Sequence, residues 1–147
     1  MEIRTEIDID APPDRVWSLL TDTERFPSWN PLMVRASGKL ARGERPHITV
    51  RAGRTMEVRP EVLVADAPRE LRWRGELVTG WLFAGEHYFR IEPRGEGVRF
   101  VHGELFSGLL VQLLARTLRR DAPPAFEAMN RALKARAEAT ADLPPAA

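Results

Sequence analysis

The chain has 147 residues, no cysteine, 22 basic against 21 acidic side chains, and 44% hydrophobic residues. A single domain of this length buries roughly 68–70% of its unfolded surface and needs neither disulfide nor structural metal; lack of Cys removes thiolate chemistry and Cys-based zinc sites. Balanced, dispersed charge argues against nucleic acid as partner, no apolar run approaches the ~18 residues of a membrane span, and MEIRTEIDID lacks the order of a secretory leader, so a cytoplasmic domain is expected.

Ile3, Thr5, Ile7 and Ile9 alternate with Glu2, Arg4, Glu6 and Asp8, the period of a half-buried strand. Pro12 and Pro13 suit a first helical turn, whose N–H groups have no intrahelical partner, and a short helix burying Val16, Trp17, Leu19 and Leu20 follows. A second short helix closes at Asn30-Pro31. From Leu32 to Phe106 strand-length runs alternate with turn signals at 41–44, 52–54, 66–69, 79–80 and 93–97, which predicts five or six antiparallel strands. From Leu109 to Thr140 the apolar period becomes helical, through Leu110, Leu114, Leu118, Ala122, Phe126, Met129 and Leu133. Pro123-Pro124 predicts a kink or a two-part helix restarting at Asp121. Residues 1–140 then form one domain, and ADLPPAA, 141–147, a flexible tail.

Three features along this order are distinctive: Ala11-Pro12 followed by Val16-Trp17, then Leu20-Thr21-Asp22, then Trp29-Asn30-Pro31. With the late segment GEHYFRIEPRGEGVRFVHGELFSGLL they resemble the START-like superfamily, the polyketide cyclase and lipid-transport group, over nearly the whole chain. That resemblance implies an α+β helix-grip fold: a curved antiparallel sheet wrapped around a long C-terminal helix, two short helices after strand 1, and a ligand cavity between sheet and helix. The paired glycines and late tryptophan of the heat-shock ATPase-activator branch are missing, as is the CxH pair of oxygenase iron–sulfur domains.

Alternation in the last hairpin puts Trp81, Phe83, Gly85, His87, Phe89 and Ile91 on one face and leaves Glu86, Tyr88, Arg90 and Arg99 for solvent. A loop at 93–96 pairs His87 with His102 and Gly85 with Glu104, but sets Arg90 opposite Arg99; a two-residue slip keeps the faces and makes the histidines diagonal. His87, His102 and Glu104 are the candidate catalytic or ligand-orienting groups, because a buried carboxylate requires pairing or protonation. The alternative is that they satisfy one another within the core. As ligand contacts they would tolerate replacement of His102 by Phe with little loss of stability.

Trp73, with Leu71 and Leu77, extends the inward face, and Trp29, Trp73, Trp81, Phe83, Phe89, Phe100 and Phe106 form the candidate apolar lining. Trp29-Asn30 can instead cap and pack the short helices. Ser107 lacks a nucleophile elbow and reads as a helix cap. His47 reads as exposed strand decoration. No complete metal-ligand spacing or phosphate loop is present, so no metal and no organic cofactor is expected. The reading is a binding or carrier protein for a hydrophobic, lipid-like or aromatic, small molecule in a closed cavity. The alternative is an aromatic polyketide cyclase or dehydratase using the cavity His and Glu as general acid and base.

Overall fold

The computed structural model describes residues 1–140; the proposed tail at 141–147 lies outside the described residues. The order is β1 (Glu2–Ile9), α1 (Pro13–Thr21), a 3-10 turn (Thr23–Arg25), α2 (Phe26–Trp29), β2 (Met33–Ser37), β3 (His47–Ala52), β4 (Arg54–Val58), β5 (Glu61–Asp66), β6 (Glu70–Glu76), β7 (Ala84–Arg94), β8 (Gly97–Ser107) and α3 (Val111–Thr140). Two antiparallel sheets, β1-β8-β7-β6-β5 and β2-β3-β4, give the curved sheet of a helix-grip fold with α3 as its core helix. Seven strands fill 33–107 rather than five or six, because the run between the turns at 52–54 and 66–69 is split at Arg59-Pro60, where the chain passes from β4 of the small sheet to β5 of the large one and Pro60 has no N–H for a ladder.

The long helix is one element, not two. Pro123 and Pro124 lie inside it, and Asp121, expected as a new cap, is instead a helical residue whose carboxylate meets the Arg120 guanidinium at 2.8 Å. An interior proline costs about 3 kcal/mol. Against that, α3 fully buries Phe126, Met129 and Leu133 just beyond the prolines, and each such side chain contributes roughly 1.5–3 kcal/mol. Burial therefore outweighs the missing hydrogen bonds, and the helix continues. Ser107 ends β8, and Gly108 at φ +111° makes the turn that precedes the helix, so Ser107 is no cap. No helix among the described residues is long and apolar enough to cross a membrane.

The last hairpin adopts the slipped register. β7 runs to Arg94 and pairs it with Gly97, leaving a two-residue turn at Gly95-Glu96 with Gly95 at φ +60°. Arg90 then faces Val101, and Arg99 faces Glu92, so the like-charge opposition of the longer loop disappears.

Tyr88 corrects another expectation: it is on the outer face, yet only 2% exposed. The Arg72 and Arg90 guanidiniums lie over its ring at 4.8 and 5.0 Å, and its hydroxyl donates to Glu2 Oε1 at 2.5 Å. Burial, followed by the Glu2 hydrogen bond and charge, pushes its pKa up to about 12. Gly103, paired with Tyr88, makes room for this: a Cβ there would overlap the Tyr88 hydroxyl and lie 2.7 Å from the Ile3 carbonyl. Gly103→Ala is expected to cost about 1–3 kcal/mol in urea unfolding, the usual range for overpacking. An unchanged midpoint would mean that Tyr88 and the Ile3 backbone both give way without cost.

Candidate functional site

The strand registers lay the inward side chains of the large sheet in rows. One row is Leu71–Phe89–His102–Thr5, the next Trp73–His87–Glu104–Ile3, and the next Gly75–Gly85–Phe106. The second row therefore sets His87 directly opposite Glu104, and His102 lies diagonal to it. His87 Nδ1 is 2.8 Å from Glu104 Oε1, His87 Nε2 is 2.7 Å from His102 Nε2, and His102 Nδ1 is 2.8 Å from Asn130 Oδ1 on α3. Asn130 Nδ2 donates to Thr5 Oγ1 at 2.8 Å, and the Thr5 hydroxyl donates to the His102 carbonyl at 2.9 Å. Five residues on four elements thus form one continuous hydrogen-bonded chain.

Its protons can be placed by elimination. Thr5 gives its single hydrogen to the His102 carbonyl, so toward Asn130 it can only accept. That orients the amide with Oδ1 toward His102, and an amide oxygen requires a hydrogen on His102 Nδ1. Complete burial, then the adjacent His87, holds the His102 pKa well below its usual 6.5. His102 is therefore neutral, with a lone pair on Nε2, and His87 must donate from its own Nε2. The one proton left to place lies on the line between His87 Nδ1 and Glu104 Oε1. It rests on the imidazole as an ion pair or on the carboxyl as a neutral pair, and its transfer changes no other bond in the chain.

Packing locks the rings in place. His102 stacks on Phe126 at 4.4 Å and 14°, and His87 stacks on Trp73 at 5.6 Å and 21° while meeting Phe126 edge-on at 5.0 Å. At this level the space between sheet and helix, expected to be open, is filled by Phe126. Two depressions of about 300 and 360 Å³ lie elsewhere, beside Asp8–Asp10 with Lys134 and along His47–Thr49 with Glu57–Arg59; neither is lined by the hydrogen-bonded residues. The polar chain reaches the surface at Glu104, whose side chain is 19% exposed. The Glu104 carboxylate lies over Gly85, where a Cβ would come within 3.2–3.4 Å of the carboxyl atoms, and Pro60 lies over the paired Gly75; next in the Gly85 row is Phe106, whose ring is 5.9 Å from that of Phe83.

His87, His102, Glu104, Trp73, Phe89, Phe100 and Phe106 all share this inner face, as the alternation requires. Trp81 does not. It sits in the loop after β6, 68% exposed, and Leu77 is exposed beside it, because strand alternation ends at Glu76 and resumes only at Ala84. Trp29 is half-buried and packs edge-on against Phe26 at 5.8 Å. Asn30 Oδ1 accepts from Leu32 N and Met33 N at 3.0 and 2.9 Å, a capping role. His47 is exposed. The residues missed in the sequence are Thr5, Gly75, Asn130 and the ring of Phe126 as a wall of the site. Asn130 had a signal: it follows Phe126 by one helical turn on the apolar face.

The chain matches, over residues 1–138, the model of the family described as polyketide cyclase / dehydrase and lipid transport. It belongs to that family. The aromatase/cyclase Zhui from a Streptomyces species superposes with a TM-score of 0.80 over 100% of this chain and 99% of its own, at 15% identity. A Thermus thermophilus protein gives 0.75 at 22% identity, covering 97% and 100%, and a START superfamily protein from Mycobacterium smegmatis gives 0.74 at 17%, covering 95% and 98%. At these identities the likeness shows the fold. No functionally curated protein is significantly similar to this chain.

Proposed function

We propose that this member of the family is a cytoplasmic protein that binds a hydrophobic, aromatic or lipid-like molecule against Phe106 and Phe83, with Glu104, which lies over Gly85, as its polar contact. The observation that carries this is the outer end of the hydrogen-bonded chain. Every ring nitrogen of His87 and His102 is engaged, whereas Glu104 uses Oε1 for His87 and has no partner for Oε2 among the described residues. An unpaired carboxylate oxygen lying over Gly85, in the row next to Phe106 and its neighbour Phe83, is a place where a ligand donor gains a bond and apolar surface leaves water together. His102, expected to touch ligand, here acts as a positioning residue for His87.

A second reading, proton-transfer catalysis of a cyclase or dehydratase kind, is favoured by the 2.8 Å hydrogen bond between Glu104 Oε1 and His87 Nδ1. With substrate at Oε2, the Glu104 carboxylate can take a proton from carbon and return it to the departing hydroxyl as water, while the His87 Nδ1–H stays on Oε1, and the stacked rings hold the geometry. An environment-sensitive apolar dye, displaced by fatty acids or polycyclic aromatics, tests the first reading; absence of saturable binding would end both. Glu104→Gln keeps the shape and removes the proton-accepting oxygen. It is expected to retain dye binding, and to lower turnover of a poly-keto substrate by roughly 10²–10⁴-fold if the second reading holds. Turnover unaffected by this change would discard that reading.

A further inference from the structure

The loop joining β6 to β7, residues 77–83, lies against the residues that lead into α3: Leu109 N donates to the Trp81 carbonyl at 3.1 Å and Leu110 N to the Leu82 carbonyl at 3.0 Å. From this junction five apolar side chains project into solvent, Leu77, Val78, Trp81, Leu109 and Leu113, at 47, 84, 68, 72 and 78% exposure. Val78 is in addition the one non-glycine residue among those described with positive φ, +68°. That backbone is costly for a β-branched residue, and here it turns an apolar side chain outward. Core packing accounts for none of these positions, and a contiguous exposed apolar patch marks an interaction surface.

The charges beside the patch indicate what it meets. Arg116 and Arg119 on the following turns of α3 are exposed and have no acidic partner among the described residues. The nearby carboxylates are already paired, Glu76 with Arg74 at 3.6 Å and Asp121 with Arg120 at 2.8 Å. Arg116 and Arg119 stand about 4.5 and 9 Å beyond Leu113 along the axis, at the usual 1.5 Å rise per residue. A side chain inserted about 5–10 Å below the headgroups of a bilayer would place both guanidiniums at phosphate level.

We propose that this tip docks the protein on an anionic phospholipid surface, with Val78, Trp81, Leu109 and Leu113 inserted and Arg116 and Arg119 against the phosphates. A second copy of the chain is a poorer occupant, since a two-fold contact through the same patch brings both pairs of unneutralised arginines together. The proposal does not depend on which small molecule binds at Glu104, and its test involves no such ligand.

The test is co-sedimentation with vesicles of phosphatidylcholine alone and of phosphatidylcholine with phosphatidylglycerol. Binding is expected to the anionic vesicles, to weaken with salt, and to shift tryptophan emission to the blue. Trp81→Ser with Leu113→Ser should abolish it, and Arg116→Gln and Arg119→Gln should each weaken it about fivefold. All four side chains are exposed, so the fold should persist, which circular dichroism checks. Equal binding to both vesicle types, no binding to either, or binding retained by the Trp81/Leu113 double variant would overturn the proposal. So would a concentration-dependent dimer lost on Trp81→Ser, which would assign the patch to a second copy.

Discussion

Replacing His102 with Phe should destabilise the protein by about 2–6 kcal/mol, although the two side chains have similar shape. The change strands two groups in a dry interior: the Asn130 Oδ1 that accepts from His102 Nδ1, and the His87 Nε2–H that donates to His102 Nε2. Each buried polar group left without a partner costs about 1–3 kcal/mol. This exceeds what a ligand-contacting residue would show, because His102 is fully buried and has no nitrogen left for a ligand. Urea unfolding gives the number. Adding Asn130→Leu removes one of the stranded groups, so the double variant should lose less than the sum of the single losses. A loss below about 1 kcal/mol for His102→Phe would show that the hydrogen-bonded chain does little for the fold.

Acid should destabilise the wild type through the same histidine. Burial, then the adjacent His87, depresses the His102 pKa below 6.5 in the folded state. In the unfolded chain it returns to about 6.5, so as the pH falls below that value the unfolded state takes up a proton that the folded state refuses. Stability is therefore fully present above pH 6.5 and is lost as the pH falls, by up to about 1.4 kcal/mol per pH unit until the folded pKa is reached. Carboxylates also lose their pairings in acid, so the comparison with His102→Phe isolates this proton. The stability gap between wild type and variant should narrow between pH 7 and pH 5. A gap that stays constant over that range would mean that His102 takes up its proton as readily in the folded protein as in the unfolded chain.

The two expectations draw on information of different kinds. Period-2 alternation determined, without any tertiary knowledge, that His87, Phe89, His102, Glu104 and Phe106 share one sheet face, because successive side chains of a strand point to opposite sides whatever the strand pairs with. The 3.6-residue period likewise located the long helix and its buried stripe at Phe126, Met129 and Leu133. Both are local geometry, and local geometry is legible in a sequence. The family pattern from Ala11 to Pro31 supplied the topology that alternation alone leaves open.

Register, burial depth and partner choice belonged to the tertiary structure. The two-residue turn at Gly95-Glu96 decided that His87 faces Glu104 and not His102, and two residues of slip leave every face unchanged, so face patterns cannot detect it. Trp81 looked inward only while its strand was assumed to continue; the chain leaves the sheet at Glu76, and a large aromatic outside a strand has no alternation to aim it. Asn130 and Thr5 are 125 residues apart, yet their contact places the proton on His102 Nδ1. What the sequence determined by itself was which side chains line the inner surface, since that follows from bonded geometry and periodicity. What only the folded chain decided was which of them touch, and with that which groups are satisfied, which proton can move and which carboxylate oxygen is free, because hydrogen bonds are made across space between segments whose approach no local pattern encodes.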